Sequence, residues 1–231
     1  MRERGWPSGT FLGCLEFRDR QRLLGLGSHH TFAKGHPLIR QGAPSNVVYL
    51  LLDGLATVSA HTENGTSTMV AVRASGDVLG EMGVMSGDTR FASVFVTRRS
   101  LISTIHGEKF KHFLQESPAA AMALNRVLGE RLRQANRRRL DFGGYTAEIR
   151  VARALLELGM CHGRADGARI VIDLPLTQTD LGALVGASEV TAQRAIKELR
   201  TLKLIAYEGR RIVIIDRNRM IDFADVGGTK P

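Results

Sequence analysis

The segment Leu79–Ser93, which we call the cassette, carries residue types that could bind a small anionic ligand. Its residues of interest are three glycines, one acid and one arginine: Gly80, Gly83, Gly87, Glu81 and Arg90. Glycine lets backbone N–H groups crowd around a ligand, and an arginine can hold a phosphate through two parallel hydrogen bonds. A carboxylate does not suit a phosphate but accepts hydrogen bonds from sugar hydroxyls. The composition therefore predicts a sugar-phosphate site, and a β-turn with a surface salt bridge is the alternative.

Short segments rich in β-branched residues surround the cassette between His29 and Ile105. The clearest are Val47–Leu52, Leu55–Val58, Thr68–Val72 and Ala92–Thr97. Asn64-Gly65 gives the strongest hairpin signal. Many short strands at this spacing predict a β-sandwich, barrel or roll.

The pattern changes at Ser117-Pro118, where serine suits the N-cap and proline the first position of a helix. The predicted helix runs from Ala119 to about Phe142. Its apolar stripe has three- and four-residue steps: Ala121, Leu124, Leu128, Leu132 and Ala135. So narrow a stripe on a helix of about 35 Å indicates a seam with a partner helix, or packing along its own β domain. Gly143-Gly144 then predicts a break and a hinge.

Residues 177–205 predict two short helices joined by a glycine turn. Thr177 with Asp180 caps the first, Gly186 ends it, and Ser188 caps the second. The second helix is predicted to bury Val190 or Thr191, together with Ala195, Ile196 and Leu199. A hairpin from Leu204 to Ile215 follows, which makes the module a winged helix-turn-helix.

Such a module places the start of its second helix in the major groove of DNA. The side chains expected there are Ser188, Glu189, Thr191 (or Ala192), Gln193 and Arg194, with Thr177 at the start of the first helix. The residues expected to reach phosphates are Lys197, Arg200, Arg210 and Arg211. An αα-hairpin used only for packing is the alternative.

Composition sets wider limits on the function. The chain of 231 residues has a net charge of +9, which is common among nucleic-acid-binding proteins. Only Cys14 and Cys161 are cysteines, which indicates a reducing, cytoplasmic setting and excludes an iron–sulfur cluster held by four cysteines of one chain. The sequence contains neither a long apolar run nor an apolar stretch behind Arg2 and Arg4, so we expect no membrane span and no secretory signal.

The cassette and the winged module, joined by a long helix, resemble the family of the cAMP receptor protein and its fumarate-nitrate regulator relatives (CRP/FNR). The resemblance runs from about Leu23 to Ile215. It implies an α+β protein with an N-terminal β-roll (a double-stranded β-helix of the cyclic-nucleotide-binding type), a long dimerisation helix and a C-terminal winged helix-turn-helix. The implied domains are 1–117 for the sensor, 118–144 for the dimerisation helix and hinge, and 145–231 for DNA binding.

The resemblance also implies the roles of particular residues. A cyclic nucleotide, cAMP or a relative, would meet Glu81 through its ribose hydroxyl and Arg90 through its cyclic phosphate. The remaining contacts would come from Gly80, Met82, Phe91, Ala92 and, from the long helix towards the base, Asn136. Ala135 matches a second base-contacting position but offers no polar side chain.

Three departures from the family pattern stand out. Phe91 replaces the usual small residue after the arginine. Glu189-Val190 replaces the usual Arg-Glu. At the first of these positions arginine would bind guanine, whereas Glu189 would accept a hydrogen bond from cytosine. Arg194 matches the second arginine with which the family contacts a base. The ligand residues of the redox and haem branches are missing, and His29, His30 and His36 are expected on the surface. We therefore expect no metal, haem or iron–sulfur cluster.

The leading hypothesis is a homodimeric transcription regulator that binds a pseudo-palindrome in double-stranded DNA and contacts RNA polymerase if it is an activator. Its ligand would act by repacking the dimer helix. The alternative is a nucleotide-binding module that docks protein instead of DNA. Catalysis is not expected, because the candidate nucleophile and base, Cys161 and His162, are neighbours in sequence and such pairs rarely face each other.

Overall fold

The structure is a computed structural model that describes residues 5–61, 67–174 and 176–226. The chain folds into two compact units, Met1–Gly129 and Glu130–Pro231. The predicted hairpin turn Asn64-Gly65 lies outside the described residues.

The first unit opens with two short helices, α1 (Phe11–Cys14) and α2 (Phe17–Gly25). Its described strands are β1 (Ser28–Phe32), β2 (Pro37–Ile39), β3 (Val47–Asp53), β4 (Leu55–His61), β5 (Ser67–Ala74), β6 (Val78–Leu79), β7 (Ser93–Val96) and β8 (Ser100–His106). Antiparallel pairing gives two four-stranded sheets, in the orders β1-β8-β3-β6 and β2-β7-β4-β5. The predicted strands are confirmed, and they form the sheets of a β-roll.

Apolar side chains from both sheets meet in one core. Leu51 and Ile102 come from the first sheet, and Ala56 and Val96 from the second. A second core lies under the helices, where Phe11 of α1 meets Phe110 edge-on at 6.2 Å between ring centroids. Burial of these side chains holds the cassette, which lies between β6 and β7, against a rigid scaffold.

The first unit also contains two helices that follow strands and the beginning of a long helix. A short helix, α3 (Glu81–Ser86), lies inside the cassette, and α4 (Gly107–Glu116) precedes the long helix α5 (Pro118–Gly144). The predicted start of α5 is confirmed, because Ser117 Oγ accepts a hydrogen bond from the Ala120 amide at 3.1 Å. Neither α3 nor α4 was predicted. The described helices include none that is both long and apolar enough to cross a membrane.

The apolar stripe of α5 has two different surroundings. Leu124 is buried and Leu128 packs against the core of the first unit, as the alternative prediction had it. Leu132, in contrast, is 62% exposed. The predicted break needs a correction, since α5 runs through Gly143 and Gly144, and the next helix begins at Ala147.

The second unit continues with α6 (Ala147–His162), β9 (Arg164–Asp166), β10 (Arg169–Ile172), α7 (Gln178–Leu184), α8 (Glu189–Thr201), β11 (Ile205–Glu208), β12 (Arg211–Ile214) and α9 (Arg217–Val226). The strands pair antiparallel in the order β11-β12-β10-β9. The helix-turn-helix and its wing are therefore confirmed. Residues 161–168 contain the end of α6 and strand β9.

Partly buried polar pairs join the last turns of α5 to α6. Arg138 Nη1 lies 2.6 Å from Glu157 Oε1. Arg153 forms an ion pair with the buried Asp141, stacks on the Tyr145 ring at 3.8 Å, and donates to the Ala224 carbonyl oxygen at 3.1 and 2.9 Å. Burial lowers the pKa of Arg153, but hydrogen bonds and charges from Tyr145 and Asp141 outweigh it and raise the pKa.

Replacing Arg153 with alanine should destabilise the second unit by about 3 kcal/mol, because it leaves the Asp141 carboxylate buried without its partner. Arg169→Ala is the matched control. Its ion pair with Glu208 is exposed and should contribute less than about 1 kcal/mol. Urea unfolding followed by circular dichroism measures both changes. Equal effects of the two substitutions would contradict the assigned role of Arg153.

Candidate functional site

The cassette changes direction at Gly80, which precedes α3. Gly80 has a φ of +77°, a left-handed conformation that favours glycine. A β-carbon at this position would also collide with Nη1 of Arg90. Gly87 ends α3 with a similar φ of +81°, but there a β-carbon would meet open space. Both positions therefore favour glycine for the backbone angle, but only at Gly80 does the absence of a side chain also leave room for Arg90.

Arg90 is buried inside the first unit. Its Nη1 donates to the Gly80 carbonyl oxygen at 2.7 Å, and its Nη2 donates to the Val47 carbonyl oxygen at 2.6 Å. Burial lowers the pKa of Arg90, whereas the nearby Tyr49 and Glu81 act in the opposite direction. With Arg90 at 6% and Glu81 at 3% exposure, the alternative of a surface salt bridge does not describe this turn.

The other predicted ligand residues differ in exposure. Ala92 is buried, whereas Met82 and Phe91 are 59% and 69% exposed. The bulky Phe91 ring therefore points to solvent and does not fill the interior of the β-roll. Asn136 belongs to the second unit and is exposed on α5. The cassette thus brings Gly80, Glu81 and Arg90 together, whereas Asn136 lies in the other unit.

The predicted caps of the helix-turn-helix are present. Thr177 Oγ1 accepts from the Asp180 amide at 3.0 Å, and the Asp180 carboxylate accepts from the Thr177 amide at 2.9 Å. Ser188 Oγ accepts from the Thr191 amide at 3.2 Å and lies 2.8 Å from Thr191 Oγ1. These bonds use amides that a helix start leaves without partners, and they fix where α7 and α8 begin.

Helix α8 has one buried and one exposed face. The buried face consists of Ala192, Ala195, Ile196 and Leu199. The predicted DNA-contacting residues Glu189, Gln193, Arg194, Lys197 and Arg200 are all exposed. Two alternatives need correction: Val190 is 58% exposed and not buried, and Ala192 is fully buried, so Thr191 is the one of the two that reaches the surface.

A polar network crosses the surface of the two helices. Glu189 accepts a hydrogen bond from Thr179 Oγ1 at 2.9 Å and another from Gln193 Nε2 at 3.2 Å. Thr179 was missed at the sequence level, although its hydroxyl lies in the first turn of a capped helix. The network holds the Glu189 carboxylate in one position, while its two oxygens keep capacity for a further donor.

The wing supplies further cations. Arg210 and Arg211 are exposed around the turn between β11 and β12, and Arg211 Nε lies 3.2 Å from Asp173 Oδ1. The Arg200 guanidinium lies 5.7 Å from the centre of the Tyr207 ring. Burial raises the pKa of Tyr207, and the charge of Arg200 partly opposes this shift.

The end of α5 contacts the turn of the helix-turn-helix. Gly186, in that turn, has a φ of +59°, and a β-carbon there would collide with the Phe142 ring. Arg150 lies on the same ring at 5.5 Å from its centre. No local pattern in the sequence pointed to this contact, because its partners, Phe142 and Gly186, lie far apart along the chain.

Comparison with known proteins agrees with this architecture. The family model of the cyclic nucleotide-binding domain matches residues 29–117, and that of the Crp-like helix-turn-helix domain matches residues 149–223. Together they cover more than half of the chain. The chain belongs to the CRP/FNR family of transcription regulators. It is thus a DNA-binding transcription regulator with a cyclic nucleotide-binding domain, and the family is not one of enzymes.

Among proteins similar to this CRP/FNR regulator is the cAMP-activated global transcriptional regulator CRP of Pasteurella multocida, with 29% identity over 80% of this chain and 88% of the relative. The CRP-like cAMP-activated global transcriptional regulator of Mycobacterium tuberculosis is 25% identical over 82% of this chain and 84% of the relative. The structure of FixK2 from Bradyrhizobium japonicum aligns with a TM-score of 0.73 and 23% identity, over 85% of this chain and 96% of that one.

Metal binding was not expected for this CRP/FNR regulator. The described residues contain no group of three or more His, Cys, Asp or Glu side chains that could hold a metal ion. His29 and His30 lie exposed on β1, as expected.

Cys161, one of the two cysteines, accepts a hydrogen bond from Gln134 Nε2 at 3.2 Å.

Alanine at Gly80 should destabilise the first unit more than alanine at Gly87. Both substitutions force a side chain into a left-handed backbone, at about 1 kcal/mol each. Gly80→Ala also displaces Arg90 from the Gly80 carbonyl, which should add about 1 kcal/mol or more. Urea unfolding followed by the fluorescence of Trp6, the single tryptophan of the sequence, measures the difference. If Gly80→Ala cost no more than Gly87→Ala, the close fit of Arg90 would be refuted.

Proposed function

We propose that this protein is a homodimeric, sequence-specific DNA-binding regulator controlled by a cyclic nucleotide. In this proposal residues 1–117 are the sensor, 118–144 the dimerisation helix and hinge, and 145–231 the DNA-binding domain. The observation that carries the proposal is the two-faced α8, whose apolar side is buried while Gln193, Arg194 and Lys197 project into solvent from the other side. A helix mounted in this way can enter a major groove without exposing its own core.

The exposed side chains of the winged module suit different parts of DNA. Arg194 can donate two hydrogen bonds to the O6 and N7 atoms of guanine, and Glu189 can accept one from N4 of cytosine. Lys197, Arg200 and Arg211 are assigned to phosphates, and the remaining contacts to Thr177, Ser188, Thr191 and Gln193. Phosphate contacts would supply most of the affinity, and the base contacts would supply the specificity.

The cassette supports a cyclic nucleotide as the effector. An arginine has five N–H donors, and the two hydrogen bonds from Arg90 to Gly80 and Val47 leave others for a phosphate. Glu81 stays assigned to the ribose hydroxyl, and Phe91 and Ala92 to contacts through their backbone. The names of the Pasteurella and Mycobacterium relatives, both called cAMP-activated, make cAMP the first candidate.

Dimerisation is proposed through the second half of α5. Leu132 and Leu140 are 62% and 74% exposed on this helix, and a parallel helix of a second copy would cover such side chains. Two copies would present two α8 helices to half-sites about one helical turn apart. We further propose that the dimer acts in the cytoplasm and contacts RNA polymerase if it is an activator.

Arg194→Ala and Lys197→Ala should weaken DNA binding in different ways. Loss of Arg194 should cost about 1–3 kcal/mol on the specific operator and relax the preference at one base position. Loss of Lys197 should weaken specific and non-specific DNA alike and lower the slope of log K against log salt by about 1. Gel shifts at several salt concentrations, with an operator selected from random DNA, measure both. Unchanged base preference in Arg194→Ala would remove its base-reading role.

Titration calorimetry with cAMP and with cGMP, with and without operator DNA, tests the effector. We expect one nucleotide to bind the native protein and to bind more tightly when the operator is present, because the two affinities are linked. Arg90→Ala and Glu81→Gln should each lose nucleotide binding while Trp6 fluorescence reports a folded sensor. Undiminished nucleotide affinity in both variants would contradict the assigned site.

A further inference from the structure

Val190 occupies an unusual place on the DNA-facing side of α8. It is 58% exposed in the first turn, directly after Glu189. Residues three, four and seven positions further along share its face of the helix, and these are Gln193, Arg194 and Lys197. Val190 is therefore the apolar member of a face that is otherwise polar and cationic.

The packing and capping of α8 do not account for a valine at this position. The apolar packing of the helix is provided by Ala192, Ala195, Ile196 and Leu199, and its N-terminus is capped by Ser188. Valine is also a weaker helix former than alanine or leucine. A single exposed apolar residue is ordinary on most protein surfaces. Val190, however, lies in the N-terminal turn of α8, and in helix-turn-helix proteins the N-terminal residues of the second helix contact the bases in the major groove.

The neighbouring side chain leaves Val190 accessible. The Glu189 carboxylate is held by Thr179 Oγ1 and Gln193 Nε2, which ties it to α7 and to the next turn of α8. A β-branched side chain in a helix has one strongly preferred χ1 angle, so the two methyl groups of Val190 keep a fixed direction. A rigid apolar group is thus placed beside the polar contacts of Glu189 and Arg194.

We propose that Val190 is a specificity-determining residue that contacts the 5-methyl group of a thymine in the operator. This inference rests on the proposed DNA-binding function. In the major groove thymine is the base that presents a methyl group, whereas adenine and cytosine present amino groups at the corresponding edge. An amino group placed against Val190 would lose its hydrogen bonds to water without gaining a partner, so those bases are disfavoured.

The test replaces single thymines of a selected operator with deoxyuridine, which lacks only the methyl group. For the native protein we expect about a three- to fivefold loss of affinity at one thymine in each half-site, the size expected for one methyl group in an apolar contact. Val190→Ala and Val190→Ser, which both lack the γ-methyl groups of valine, should bind the thymine and deoxyuridine operators with a smaller difference at that position. Lys197→Ala is the matched control, which should bind all operators more weakly and keep the full thymine preference.

The outcomes separate this inference from the proposed function. An enriched operator that tolerates deoxyuridine at every position overturns the role of Val190 and leaves the DNA-binding function standing. A thymine preference that persists undiminished in both Val190 variants also overturns it, because another residue then contacts the methyl group. A selection that enriches no sequence overturns the proposed function itself, and the inference with it.

Discussion

The contact between Phe142 and Gly186 is the constraint on which the DNA-binding unit depends. Gly186 turns the chain from α7 to α8 in a left-handed conformation, and the Phe142 ring occupies the space that a side chain at Gly186 would need. Phe142 belongs to the last turns of α5, the helix proposed to carry the dimer interface. The Phe142 ring is 48% exposed but touches the backbone at Gly186, so the end of α5 is in direct contact with the turn that precedes α8.

Charged groups are held in two different ways in the two units. In the sensor, Arg90 is buried and bonded to the carbonyl oxygens of Gly80 and Val47, so its guanidinium is fixed before any ligand arrives. Donors fixed in this way would lower the ordering cost of binding the phosphate of the proposed cyclic nucleotide. In the DNA-binding unit, Arg194 and Lys197 are exposed on helix α8. Exposed cations of this kind suit DNA, whose phosphates carry a high density of negative charge. Within this unit, partly buried ion pairs such as that of Arg153 with Asp141 join α5 to α6.

Local interactions decide the features that could be predicted from the sequence. The strands and the caps at Thr177 and Ser188 follow from periodicity and from hydrogen bonds between near neighbours. Val190 was predicted to be buried, but it is exposed. A residue in the first turn of a helix can lie on the buried face or on the exposed face, and only the packing of the helix against the rest of the unit decides which. The partner of Arg90, Val47, lies 43 residues away, and such a contact arises from strand pairing that no local pattern specifies. Helix α3 was missed since its six residues include a glycine.

Entry of α8 into the major groove, in each half of a symmetric operator, is the step on which the proposed regulation rests. Methylation interference tests it directly, because dimethyl sulfate modifies N7 of guanine in the major groove and N3 of adenine in the minor groove. We expect guanine methylation to block binding at two symmetric positions, with half-site centres about one helical turn apart. Interference confined to adenines of the minor groove, or absent at every guanine of the selected operator, would contradict major-groove entry by α8.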